Sequence, residues 1–366
     1  MNYAFPPPHA LNILESMKFN YKLSQERYKN NFKSLNWDVF PVDYEKIFDN
    51  NTLWKTFLRN RISLGFNDAL EEVSNKRFEN LNNGYWKQLK KNDVNLLDKV
   101  ASSYHKINFV IEIVNYLLAN FEPTLLLNNL MEDIGDPEVV ALEIQNPDKS
   151  KLHLPVNFHD IMEIYYFIHF QNIIQELNKI DQPVIVEIGA GYGGIASKVK
   201  KSLENAKYII FDLPEVNAVQ SYYLTNVFPD KKILGYDEYL KSKNILKESF
   251  DFLILPGWEI DNLKPNSVDF FINMRSMMEM DYNIIEFYMN AIQKSGKNKS
   301  FFVNVNRYQK RDIKFKDYPY DQNWKVINSI NSIVQNHIHI LITQRSNKNE
   351  NFNIKKTFKG INYENE

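Results

Sequence analysis

Pro183-Val-Ile-Val-Glu-Ile-Gly-Ala-Gly-Tyr-Gly-Gly194 passes from an apolar run into a glycine-rich turn, and then into a helical pattern marked by Ile195, Val199 and Leu203. The run Val184 to Ile188 is short, rich in β-branched residues and bounded by Pro183 and Gly189, which predicts a buried strand. Gly189, Gly191 and Gly194 fit the spacing of a nucleotide-binding strand-turn-helix, where glycine lets the backbone pass close to a ligand. Gly193 adds a Gly-x-Gly-x-Gly spacing. A second strand is predicted at Tyr208 to Phe211 and ends on Asp212. A carboxylate about 20 residues beyond such a turn can accept hydrogen bonds from both hydroxyls of a ribose.

Outward from this motif, short apolar runs alternate with helical patterns, the signature of βαβ units and a parallel sheet. Pro214 suits the first turn of a helix whose inner face carries Val216, Val219, Tyr223 and Val227. Further strands are predicted at Phe252 to Leu255, Val268 to Ile272 and Phe301 to Val305. Asp281 reads as the cap of a helix that turns Ile284, Ile285, Tyr288, Met289 and Ile292 inward. Lys325 to Val334 and His337 to Thr343 are separated only by Gln335-Asn336, so an antiparallel hairpin is expected to close the sheet.

The chain before the motif is mainly helical in pattern from about residue 10 to 130. Ile107, Ile111, Val114, Leu118 and Phe121 recur at three- and four-residue steps, so they are expected to form one buried stripe, with a dimer face as the alternative. Trp37, Trp54 and Trp86 read as structural aromatics. Met131 to Pro155 is rich in turn formers and reads as a linker, followed by a helix from Phe158 to Asn178 with Phe158, Ile161, Tyr165 and Ile168 on one face. The expected domains are therefore 1–150, mainly helical and suited to substrate recognition or oligomerisation, and 151–345, the sheet domain. Residues 346–366 read as a polar, loosely held tail.

Composition narrows the function. Of 366 residues 44% are hydrophobic and 24% charged, as in ordinary globular proteins. The formal net charge of −1 provides no general positive field, which argues against nucleic acid or an anionic membrane surface as partner. With no cysteine, disulfides, thiolate metal sites and cysteine nucleophiles are excluded. The most apolar stretch, Phe109 to Phe121, is broken by Glu112, Asn115 and Asn120 and falls short of a membrane span. Met1-Asn-Tyr-Ala-Phe-Pro-Pro-Pro lacks the features of a secretory signal, so a cytoplasmic location is expected.

The glycine turn alone fits either NAD or S-adenosylmethionine (SAM). Glu187, two positions before the first glycine, discriminates between them. A carboxylate there repels a pyrophosphate but attracts the ammonium and sulfonium of SAM, directly or through water. SAM is therefore the expected cofactor and methyl transfer the expected chemistry.

Glu187-Ile-Gly-Ala-Gly-Tyr-Gly-Gly, Asp212-Leu-Pro-Glu, Tyr222-Tyr-Leu and Asn273-Met-Arg-Ser-Met-Met-Glu-Met resemble the successive motifs of the sugar O-methyltransferases, a class I SAM-dependent family. Gly135-Asp-Pro and the helix after Asn157 resemble that family's lead-in, so the likeness runs over about residues 130 to 310. It implies an α/β fold with a seven-stranded Rossmann-like methyltransferase sheet, the last hairpin antiparallel, behind a mainly helical N-terminal domain. By the same resemblance Glu187, Gly189, Ala190, Gly191 and Gly193 hold the methionine part, Asp212 holds the ribose, and Leu213, Pro256, Gly257 and Trp258 border the adenine. The acceptor implied is a hydroxyl of a sugar or sugar-containing precursor, in surface-polysaccharide biosynthesis.

Ligands of open α/β sheets lie at the carboxyl ends of the strands, so the turn Asn273 to Met280 is expected to face the transferred methyl group. O-methylation needs an aligned hydroxyl and a group to take its proton. His159 and Glu279 are the candidate bases. Ser276 and Asn273 are candidates to orient the acceptor or to cap the following helix, and Asn273 is also assigned to the cofactor side. Asn306 and Arg307 end the next strand and are candidate lining residues. His337 and His339 share a strand face, but no third ligand is evident and no metal is expected. Two other readings remain open: an NAD-dependent oxidoreductase or epimerase, disfavoured by Glu187, and a non-catalytic partner-binding protein.

Overall fold

The computed structural model describes residues 8–27, 47–59, 108–137, 139–145, 151–242, 244–310, 312–335 and 337–358. The chain divides into two compact units, one of residues 52–169 and one of residues 1–51 with 170–366. Trp37, Trp86 and Ile107 lie outside the described residues.

In the unit of residues 52–169, strands β1 (Val139–Gln145) and β2 (Lys151–Asn157) pair antiparallel. The stretch read as a linker thus holds a hairpin. Of its turn formers, Leu154-Pro155 lies within β2, paired with Leu142 and Ala141, and Asn146-Pro-Asp lies outside the described residues. The helix over 108–120 buries Val110, Ile113, Val114 and Leu117, while Ile111 is exposed. The buried stripe is therefore rotated by one position from the expected one. Two overlapping sets of apolar residues run along this helix, and periodicity alone does not choose between them. Helix Phe158–Ile168 is capped by Asn157, whose Oδ1 accepts the His159 N–H at 2.8 Å and the Asp160 N–H at 3.2 Å. It ends at His169, whose N–H bonds three residues back to Tyr166, and a second helix, Gln171–Leu177, starts after Phe170. The single helix expected over this span is two.

The other unit is built on one sheet. Its strands are β3 (Val184–Ile188), β4 (Lys207–Asp212), β5 (Ile233–Leu234), β6 (Phe252–Pro256), β7 (Val268–Met274) and β8 (Gly296–Arg307). After the small pair β9 (Gln309–Lys310) and β10 (Ile313–Lys314) come β11 (Trp324–Asn331) and β12 (Ile338–Arg345). The sheet order is β11-β12-β8-β7-β3-β4-β6-β5. β3 to β8 pair in parallel, and β12 joins β8 antiparallel with β11 beyond it. All seven expected strands are present, and β5 adds an eighth at the edge. At two residues, β5 is too short to leave a periodic signal in the sequence.

From β3 the chain winds first toward β4 and then, through β7, to the other side. The carboxyl ends of β3, β4 and β7 therefore surround the crevice where such sheets bind ligands. Helix Tyr282–Ser295 covers one face with buried Ile284, Ile285, Tyr288, Met289 and Ile292, against Val186, Ile188, Phe211 and Phe271 among others. Each such side chain contributes about 2 kcal/mol of burial. Asp281 stands at this helix's N-cap position, without a side-chain cap hydrogen bond. Helix Pro8–Glu26 also belongs to this unit, with Asn20 Oδ1 accepting the Asp237 N–H at 2.7 Å. The C-terminal segment is held as far as Phe358, since Ile354 and Phe358 are buried and the Phe358 ring packs on His339 and Phe315. Two apolar anchors in an otherwise polar tail outweigh its average composition.

Candidate cofactor and acceptor site

β3 brings the glycine turn to the switch point. Gly189 (φ +69°) and Gly193 (φ +104°) hold left-handed conformations that cost other residues strain. The turn is tied inward by the Gly189 N–H donating to the Phe211 carbonyl at 2.9 Å, and closed by the Gly193 N–H donating to the Ala190 carbonyl at 3.0 Å. Gly193 is the N-cap of helix Gly194–Ser202, whose first backbone N–H groups suit electron-rich atoms of a ligand.

Glu187 is 1% exposed and accepts the Tyr208 hydroxyl at 2.7 Å. Alternation along β3 and β4 puts the two side chains on the same face of the sheet. Burial, and then the neighbouring Glu187 carboxylate, push the Tyr208 phenol well above its ordinary range, so it stays protonated and donates.

Asp212 ends β4. Its Oδ1 accepts the Leu213 N–H at 2.8 Å and its Oδ2 accepts Gln220 Nε2 at 2.6 Å. Burial raises the carboxyl to about 7, against the opposing pull of the Leu213 N–H, the Gln220 amide and the Ala190 N–H. Gln220 Nε2 also donates to the Gly191 carbonyl at 3.0 Å. The glycine turn and Asp212 are therefore bridged by one amide. Motif spacing does not single out Gln220, but it follows Val219 within the stripe Val216, Val219, Tyr223, a polar residue on an inward helix face.

The turn after β7 is fixed by a buried amide network. Asn273 is 0% exposed; its Nδ2 donates to the Ile188 carbonyl at 2.8 Å and to Ser276 Oγ at 2.5 Å. Its Oδ1 accepts the Met277 N–H at 3.2 Å and Asn306 Nδ2 at 2.8 Å. Asn306 Oδ1 accepts the Met278 N–H at 2.8 Å, and the same side chain reaches Asn304, whose Nδ2 donates to the Tyr320 hydroxyl at 2.9 Å. Ser276 Oγ donates to the Ile188 carbonyl at 2.9 Å. Asn273, Ser276 and Asn306 thus join β3, β7 and β8 at their carboxyl ends, and their polar atoms shape the turn. Arg275, between them, has φ +62°, unusual for a residue with a Cβ.

The candidate bases differ in setting. Glu279, partly exposed, forms an ion pair with Lys310 of β9, a partner that no sequence pattern suggested. His159 lies in the other unit, in the first turn of helix Phe158–Ile168, half-buried and edge-on to Phe158. His339 is a core residue, 2% exposed, between the Tyr308 hydroxyl at 2.7 Å and Ser329 Oγ at 2.9 Å. Burial lowers its imidazole to about 4. Among the described residues no group of three or more His, Asp or Glu is placed to hold a metal ion.

Leu213 stands at the N-cap of helix Pro214–Val227, and Pro256 leads into the short 3-10 helix Gly257–Asn262 that buries Trp258. A cavity of about 450 Å³ opens beside β4 and β6, over Ile209, Phe211, Leu253 and Leu255, with Arg27 and Glu259 also lining it. None of the expected site residues lines it.

Sheet and site together define a Rossmann-like α/β protein of the class I methyltransferase type. No family model matches the chain, and no curated protein does. Among solved structures, it is similar to the mitomycin 7-O-methyltransferase MmcR at 12% identity, over 51% of this chain and 58% of that one, with a TM-score of 0.31. A SAM-dependent methyltransferase from Aquifex aeolicus matches at 15% identity over 48% and 88%, with a TM-score of 0.31. The pyocyanin biosynthetic protein PhzM matches at 10% over 47% and 54%, with a TM-score of 0.29. The chain thus spans little more than half of two of these proteins. The functional reading rests on the residues described above rather than on these likenesses. No described helix is long and apolar enough to cross a membrane.

Proposed function

We propose that this chain is a SAM-dependent O-methyltransferase acting on a hydroxyl of a sugar or sugar-containing precursor, in surface-polysaccharide biosynthesis. The observation that carries the cofactor reading is the pairing of a buried Glu187 with Asp212 around the glycine turn. The residues fit the group: a left-handed turn free of side chains at Gly189 and Gly193, an acid at the end of β4, and a buried Gln220 Oε1 without a hydrogen-bond partner among the described residues. When bound, SAM supplies an electrophilic methyl group.

The chain's own residues do the rest. Gly189, Ala190, Gly191 and Gly193 present backbone to the methionine part, and Glu187 lends negative charge beneath it. Asp212 accepts from the ribose hydroxyls, with Leu213, Pro256 and Gly257 beside the base. Asn273 and Ser276 hold the turn that borders the acceptor. His159 or Glu279 takes the proton of the attacking hydroxyl. In the ligand-free chain Glu279 is paired with Lys310. Residues 1–150 serve substrate recognition or homodimer formation, residues 151–345 carry the transfer, and the protein works in the cytoplasm.

The acceptor is tested by incubating the protein with methyl-labelled SAM and a panel of nucleotide sugars, with protein and nucleic acid as controls. A gain of one methyl group on a sugar supports the reading. Transfer to nucleic acid or protein alone would overturn its acceptor part.

A further inference from the structure

We propose that Gln220 is a positioning residue that locks the glycine turn to Asp212 and, through that contact, sets the pH at which the site becomes ready for its cofactor. The inference deepens the cofactor reading and rests on it for its affinity arm. Gln220 is 0% exposed and sits on helix Pro214–Val227, which follows β4 directly. A single Nε2 spans the Gly191 carbonyl at 3.0 Å and Asp212 Oδ2 at 2.6 Å. The amide has only one workable orientation. Turned over, Oε1 would face a carbonyl and a carboxylate, both acceptors.

That orientation leaves Oε1 buried with no hydrogen-bond partner among the described residues, a cost to folding that an apolar side chain of the same shape would avoid. A buried polar group kept at such a cost points to a role in the site, here as an acceptor for a ligand hydroxyl or an ordered water.

The electrostatic consequence follows from the surroundings of Asp212. The Leu213 and Ala190 N–H groups and the Gln220 amide favour its ionised form, while burial and the Glu215 carboxylate of the same helix oppose it. Tyr288, on helix Tyr282–Ser295, faces it as a neutral phenol, raised far above its ordinary range by burial and by Asp212. Removing the amide leaves the carboxylate with less support and raises the pH needed to ionise it.

The experiment compares wild type with Gln220→Met, of similar length but without the amide. Two quantities are read: the midpoint of the Asp212 carboxyl titration by carbon NMR in the ligand-free protein, and the affinity for S-adenosylhomocysteine by calorimetry across the same pH range. The expected result is a higher midpoint and an affinity weakened about tenfold, the size of a lost hydrogen bond to a charged group. Gln220→Asn, polar but too short to span both partners, serves if the Met variant fails to fold, and should shift both quantities the same way. A folded variant with wild-type midpoint and wild-type affinity would overturn the proposal. If wild type does not bind S-adenosylhomocysteine at all, the cofactor reading fails, and the ligand-free midpoint alone decides the role of Gln220.

Discussion

The Ser276 side chain occupies the space that a Cβ on Gly189 would need, so the turn after β7 is packed directly into the glycine turn after β3. Gly189 is thus required twice, by its left-handed φ of +69° and by this contact. Gly189→Ala is expected to cost about 2 kcal/mol or more, read as a fall in denaturation midpoint. Ser276→Gly in the same chain should return part of the loss. Strictly additive effects would show that the contact is not the cause.

Asn273 should be among the least replaceable polar residues of the sheet unit. Asn273→Ala removes partners from the Ile188 carbonyl, the Met277 N–H and the Asn306 amide in a fully buried place. A loss of about 3 kcal/mol is expected, and urea denaturation measures it. Asn273→Asp keeps the shape but buries a charge, and should be no better.

Asp212 ties stability to pH with a definite sign. Its carboxyl lies near 7 in the folded chain and near 3.8 when unfolded, so the folded state binds the extra proton between those values. Its contribution to stability therefore falls as pH rises from about 4 to about 7, while affinity for a ligand that donates hydroxyls to a carboxylate rises across pH 7. Asp212→Asn should flatten both dependences. Melting curves and binding isotherms from pH 4 to 8 test this, and unchanged curves would remove Asp212 from both roles.

His339 and His169 work in the opposite sense. Both are held near 4 by burial, below the ordinary 6.5, so the unfolded chain binds more protons between these values. Stability from these groups is present above 6.5 and is lost as pH falls toward 4. His339→Gln should reduce acid sensitivity in that window. Comparing acid denaturation midpoints of the variant and wild type decides it.

Much of the sheet unit was legible because each strand is a short apolar run bounded by turn formers, and because Gly189 to Gly194 marks the switch point. What escaped had physical reasons. β5 is too short for any period, and β1 and β2 lie in a stretch whose turn formers, Gly135-Asp-Pro and Leu154-Pro155 among them, read as a linker. The buried face of the helix over 108–120 slipped by one residue because apolar residues lie on both sides of the true stripe. In the site, Glu187, Asp212 and the glycines could be found by spacing, since their role depends on chain position. Gln220, Tyr208, Asn304 and Lys310 act through contacts across elements, which spacing does not encode. Only the inward place of Gln220 on its helix gave a local hint.

His159→Ala and Glu279→Ala separate the two candidate bases once an acceptor is in hand. The true base should lose at least a hundredfold in turnover while keeping cofactor affinity. Loss of turnover with the pH profile unchanged would mark a positioning role instead.

The turn from Glu187 to Gly193, with Asp212, is proposed to hold SAM and not a dinucleotide. Calorimetric titration of the full chain with S-adenosylhomocysteine and, separately, with NAD tests it most directly, with Asp212→Ala as control. The expected result is saturable binding of S-adenosylhomocysteine that Asp212→Ala abolishes, and none of NAD. Binding of NAD alone, or S-adenosylhomocysteine binding indifferent to Asp212, would contradict the account.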